Sequence, residues 1–295
     1  MKHWNPYTPI DAVPWNRARV VHLHRRAVFG ATAAEQQRDL DEDPQAAVTR
    51  ILTGTVRINT PASFDDLSDV IGSAAADSPN PDRLKAWWLY RCLFTSDPLQ
   101  ERLTLKWHNH FATSNLKVNN LHQMMQQNES LRKHSRSPFG VLLRAMLQDP
   151  ALLVWLDAPA NRKGQPNENL ARELMELFTL GVGNYTETDV KESARALTGW
   201  TVRSGRFEER AAVHDDGEKT IAAAIRTVEW GRGRRHSSEA TGHYQANRVA
   251  ADVRILRRER RQQGCNERTR HTTAIHRTGH RRSRRNHSQV VAVLQ

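Results

Sequence analysis

Asp97-Pro98-Leu99-Gln100-Glu101-Arg102-Leu103-Thr104-Leu105-Lys106-Trp107-His108-Asn109-His110-Phe111 carries both a helix start and a helix face. An Asp directly before a proline can accept hydrogen bonds from the orphan N–H groups of a first turn. The proline loses nothing there, because its missing N–H would be unpaired anyway. Leu99, Leu103, Trp107 and Phe111 then recur every fourth residue, which lays one apolar stripe along a helix.

The same start signal recurs outward along the chain at Asp43-Pro44, Asn80-Pro81, Ser137-Pro138 and Asp149-Pro150. Thr32-x-x-Glu35 and Thr186-x-x-Asp189 have the spacing of capping boxes. Gly30, Gly54, Gly181 and Gly199 stand where glycines end helices. Leu84, Trp87 and Trp88, and Phe139, Leu142, Leu143, Met146 and Leu147, repeat the three-and-four spacing. Helices are expected near 17–29, 33–40, 44–52, 81–95, 98–111, 121–134, 138–148, 150–156, 168–180 and 188–198. Residues 55–79, rich in Ser, Ala and Asp, and 157–167, rich in Asn, Gly and Pro, are expected as loops. No run alternates long enough to demand a strand. The fold class expected is all-α, a multi-helix globular bundle.

Charge divides the chain. Residues 1–225 hold 27 Lys+Arg against 27 Asp+Glu, whereas residues 226–295 hold 17 Arg, no Lys and five acids, so the whole net charge of +12 lies there. The expected organisation is a short N-terminal extension over 1–14, one helical domain over 15–225, and an Arg-rich, disordered or out-of-frame tail over 226–295. A neutral body gives no reason for long-range attraction to phosphate or membrane. Nucleic acid is expected only as a non-specific partner of the tail, which offers just Trp230 and Tyr244 for stacking. Cys92 and Cys265 make neither a disulfide framework nor zinc-ligand spacing. No apolar run suits a signal peptide or membrane span, and a cytoplasmic location is expected.

Three polar clusters offer chemistry. In the first, His110 follows Trp107 by three residues and shares its stripe, while His108 points elsewhere. The pair cannot hold one metal unless the helix unwinds, so each is read as a core or surface histidine or as a metal or catalytic group. In the second, Glu168, Arg172 and Glu176 align on one helical face as an ion-pair ladder. Glu173 and Glu176, one turn apart, are an alternative carboxylate pair for a metal. The third, His214-Asp215-Asp216-Gly217-Glu218-Lys219-Thr220, is either a solvated loop or an oxygen-rich cation site, without the spacing of an EF-hand or a phosphate loop. The candidates are thus His108, His110, Glu173 and His214 for catalysis, and His110, Glu168, Glu173, Glu176, Asp215 and Asp216 for a metal. Which cofactor, if any, these residues would serve is left open by the sequence.

Several stretches occur together in order: Leu23-His24-Arg25-Arg26-Ala27-Val28-Phe29-Gly30-Ala31-Thr32, Leu103 through Ser114, Trp155-Leu156-Asp157, and Asn161-Arg162-Lys163-Gly164. Pro166-Asn167-Glu168-Asn169 running through Gly181, Ala196-Leu197-Thr198-Gly199-Trp200, and His214 through Thr220 complete the series. In these the chain resembles the bacterial family called domain of unknown function 1800, over roughly residues 15–220, about the first half of a member. The resemblance implies a helical protein with no assigned reaction and no agreed catalytic residues. Beyond Thr220 it stops, and Lys usage changes close by. With suitably chosen codons, Arg232 to Gln245 read one base later becomes Gly-Asp-Asp-Val-Ile-Leu-Leu-Lys-Gln-Pro-Ala-Thr-Thr-Arg, similar to what family members carry there. The expected function is accordingly unknown, in a truncated product without independent activity. The alternatives are a metal- or cofactor-binding enzyme with a His/Glu site between helices, and nucleic-acid binding through the tail.

Overall fold

The structure is a computed structural model that describes residues 7–221. The segment 226–295, with the expectation that it is disordered or out of frame, lies outside the described residues. The described chain is mainly helical and divides into two compact units, 7–106 and 107–221. This division falls within the span 15–225 read from the sequence as one domain.

The first unit begins with α1 (Arg17–Ala27), α2 (Ala33–Asp41) and α3 (Pro44–Thr53). Thr32 and Glu35 form the capping box at α2, and Asp43 accepts from Gln45 and Ala46 N at α3, as their spacing requires. Ala27, Val28, Ile51, Val56 and Leu99 close a small core. Above it His24 and Asp39, each 1% exposed, pair at 2.7 Å, and Asp39 also accepts from Arg38 (2.9 Å) and Arg50 (2.8 Å). Burial pushes the Asp39 carboxyl up, but the hydrogen bonds from His24, Arg38 and Arg50 outweigh it and hold it at about 2. The folded value is below that of the unfolded chain. The stabilisation, of order 1–2 kcal/mol, is therefore complete above pH ~4 and is lost as pH falls towards 2. Acid titration of unfolding should show this loss, and Asp39→Asn should flatten it.

The segment expected as a loop over 55–79 contains α4 (Phe64–Ala76), a correction with a clear physical reason. Phe64, Ser68, Gly72, Ala75 and Ala76 form its buried stripe. These mostly small residues look like loop composition, yet they make room for Trp87 of α5 (Pro81–Phe94). A Cβ on Gly72 would lie 2.8 Å from Trp87 Nε1, whose N–H donates to Ser68 O at 2.8 Å.

Helix α6 (Pro98–Phe111) spans the boundary between the units, and Asp97 caps it through Gln100 N at 3.1 Å. The second unit continues through α7 (Asn115–Val118), α8 (Leu121–His134), α9 (Phe139–Leu147) and α10 (Pro150–Trp155). Ser137 gives no side-chain cap to α9, so the expected Ser-Pro start signal fails there, while Asp149 caps α10 through Leu152 N. Leu142, Leu143, Met146, Leu147, Leu152 and Leu153 centre a core that also takes Phe111, Leu131, Leu170, Phe178 and Val190. Full burial of such side chains contributes about 1.5–3 kcal/mol each. The expected helix 168–180 is α11 (Asn169–Glu173) continued by a π-helical turn (Leu174–Thr179). The boxed helix α12 (Glu187–Ala196) follows.

The mainly helical class expected holds, and one short hairpin accompanies the helices. Strands β1 (Trp200–Arg203) and β2 (Arg206–Glu209) form an antiparallel hairpin with Val202 opposite Phe207. Its two-residue turn, Ser204-Gly205, has positive φ at both positions (48° and 73°), as the right-handed twist of a tight hairpin favours.

Candidate functional site

Helix α6 does continue through its histidines. His110 lies among four aromatic rings of the second unit, with centroids 5.7 Å from Trp107, 5.0 Å from Phe111, 6.1 Å from Phe139 and 6.0 Å from Phe178. Trp107 is anchored by its N–H to Ser135 O at 3.0 Å. Burial holds the His108 imidazole below its ordinary range, so it favours the neutral form.

Phe178 belongs to the π-turn, so His110 packs on the element that also carries the glutamates. There a backbone bond spans five residues, from Leu180 N to Met175 O at 2.8 Å, and the Thr179 hydroxyl donates to Leu174 O at 2.5 Å. Such wide turns cost hydrogen-bond geometry and recur at functional positions. Glu176 accepts from the Tyr185 hydroxyl at 2.5 Å. Glu173 has one buried carboxylate oxygen, Oε2, without a hydrogen-bond partner. Burial first, and then the neighbouring Glu176 charge, raise its pKa, against a smaller opposing pull from Arg172. Glu168 is instead held by Arg172 at 3.1 Å, and Arg172 also forks onto Glu187 with two 2.8 Å bonds. The expected ladder therefore reaches Glu168 and Arg172 but turns towards Glu187, leaving Glu176 with Tyr185.

His214 is buried, and its Nδ1–H donates to Thr198 O at 2.7 Å. Asp215 pairs with Arg195 at 2.8 Å and accepts from Gly217 N at 2.8 Å. The Arg195 hydrogen bond outweighs burial and holds the Asp215 carboxyl at about 2. Buried Lys219 directs its ammonium at the carbonyls of Gly217 (2.9 Å) and Asp215. The loop thus places its own cation on its oxygens. Asp216 is exposed. The structure keeps this loop on the end of α12, with Arg195 also held by Glu192, and sets it apart in sequence and partners from the π-turn. Among the described residues, no group of three or more His, Cys, Asp or Glu is arranged to hold a metal ion.

Tyr185 was not visible as a site residue in the sequence, because it reaches Glu176 across the Gly181-Val182-Gly183 turn rather than by helical spacing. The π-turn itself has no spacing signature among these residues.

The second unit is thus mainly helical, with one short hairpin. The chain matches the family described as Protein of unknown function (DUF1800) over residues 22–251, and it belongs to that family. The match runs past Thr220, so likeness to the family does not end where the sequence reading placed its limit. No curated protein and no solved structure is matched by the chain. Among the described residues, no helix is long and apolar enough to cross a membrane.

Proposed function

We propose that the second unit carries one wall of an acid–base site, in which Glu173 exchanges a proton and Glu176, tethered by Tyr185, tunes it. The observation that supports this is the buried, unpartnered Oε2 of Glu173 beside a second carboxylate. A carboxyl raised by burial and by a like charge holds its proton closer to neutral pH, where transfer in either direction is most effective.

A carboxyl-detected NMR titration tests the site. Glu173 is expected to titrate above the ordinary glutamate range, and Glu176→Gln should move it back down by removing the like charge. Tyr185→Phe should raise it further, because Glu176 loses its donor and its charge is less dispersed. An ordinary value for Glu173 in the unaltered protein would sink the reading.

We also propose that the polypeptide has no independent activity, because its Arg-rich end, beyond the family match, is read in a shifted frame. The support is compositional: 17 Arg with no Lys after a charge-balanced body. Arg, Ser, His and Gln in place of core side chains could not form a buried helical wall. Since the family match reaches residue 251, resequencing must cover codons 220 to 251. An undisturbed frame in the gene would refute the slip.

A further inference from the structure

The second unit encloses a carboxylate that has no counter-ion. Asp149 is 3% exposed, and its partners are Leu152 N at 2.9 Å, Gln127 Nε2 at 2.7 Å and Ala151 N, all of them neutral donors. Among the described residues, no Lys, Arg or His pairs with it. Gln127, 1% exposed, spends its amide hydrogens on Asp149 Oδ1 and on Thr113 Oγ1 at 3.1 Å. Its Oε1 is buried and has no donor. Gln123 stands one turn earlier on the same face of α8, 9% exposed, and its Oε1 is also buried without a donor. Both α7 and α10 pack against α8.

Two buried amide oxygens are therefore left without a donor, on the helix face whose Gln127 meets a carboxylate held only by neutral donors. Leaving such groups dry and unpaired is costly, and native interiors resolve it by pairing the charge or by coordination. We propose that Asp149, Gln127 and Gln123 hold a small monovalent cation, of the size of sodium, potassium or ammonium, inside the second unit. The donor set is all oxygen, which suits hard ions and not zinc or copper. It offers one negative charge, which a monovalent ion neutralises, whereas calcium sites usually collect several carboxylates. The site is independent of Glu173 and its neighbours.

Protonation is the competing way to remove the charge, since burial pushes the Asp149 carboxyl up to about 6. The raised value means that the proton stabilises the fold below pH ~4 and that this gain is lost as pH rises through 6. Above pH 6 the cation takes over that role, and binding should weaken as pH falls.

Thermal unfolding of the full chain at pH 7.5 and constant ionic strength decides the matter, with sodium, potassium, ammonium or choline chloride as the salt. A bound ion stabilises by mass action, and at least one small cation should raise the unfolding midpoint above that in choline by about 4 °C or more. Gln123→Leu leaves the contact between Gln127 and Asp149 in place and should abolish the difference. Asp149→Asn keeps a capping oxygen while removing the charge, and should unfold at one temperature in all four salts. Equal midpoints for the unaltered protein in every salt would overturn the proposal, leaving a protonated Asp149 or a buried water as the occupant's role. A cation effect that survives Asp149→Asn would overturn it as well.

Discussion

Glu101→Ala is expected to destabilise the first unit by about 3–5 kcal/mol, the usual cost of leaving one member of a buried ion pair alone. Glu101 and Arg91 are 1% and 9% exposed and meet at 3.0 Å. The other carboxylate oxygen accepts from Trp88 Nε1 at 3.1 Å, and Arg91 also donates to Ser68 Oγ at 2.6 Å. One substitution therefore takes the charge partner from a buried guanidinium and an acceptor from an indole N–H, between α4, α5 and α6. Replacing both partners, Arg91→Met with Glu101→Leu, should cost far less, because no charge is left behind. Urea unfolding midpoints of the single and double variants measure the difference. If the single variant lost under 1 kcal/mol, water would have to reach the pair, and the burial described above would be wrong.

Gly199→Ala is expected to cost about 2–5 kcal/mol, through two effects that add. Gly199 sits at φ +86°, which strains any residue with a Cβ. That Cβ would also lie 2.6 Å from the Arg210 carbonyl oxygen, which is backbone and cannot swing away. Gly199 N donates to Asn161 O at 2.9 Å, and its carbonyl accepts from Arg210 N at 2.8 Å. The damage should thus spread to the hairpin and to the His214 loop. Hydrogen exchange should show lost protection at Arg210 and Asp215 before the α9–α10 core is affected. Uniform loss across the unit would show instead that the hairpin and core unfold as one.

The readings that succeeded and failed in the sequence differ by physical range. Caps at Thr32, Asp43, Asn80, Asp97, Asp149 and Thr186 act within a turn of themselves, and all six accept from the backbone as their spacing requires. Ser137 failed because its helix begins one residue later, beyond Pro138. Helix α4 was hidden because Gly72 and Ser68 only make sense once Trp87 is known to lie against them, 15 and 19 residues away. The hairpin was missed for a different reason. Ser204-Gly205 is a usable turn signal, but each strand is only four residues long, too short for alternation to be read.

The candidate site was legible in part. The residue types could be read there, but that His110 meets Phe178 of the π-turn could not, because a contact between two helices leaves no trace in the spacing of either. Nor could the fates of Glu168 and Glu176, because Arg172 chose Glu187 and Glu176 chose Tyr185, both from beyond the helix. For the His214 loop the sequence left a solvated loop and a cation site open, and Lys219 meets its carbonyl oxygens with an ammonium from the same short segment.

The π-turn at Leu174–Thr179 has a further consequence when considered as a change of phase. Each residue advances an α-helix by about 100°, so a turn that accommodates one extra residue offsets each later residue number by roughly that angle from a regular helix. Phe178 is thereby directed into the aromatic group around His110, while Leu177 is turned out to solvent at 54% exposure. Removing one residue from this turn would restore the regular helical period while the chain on either side kept its phase. The turn thus takes up one residue of extra length without passing it on, and exposed Leu177 is where that slack meets solvent.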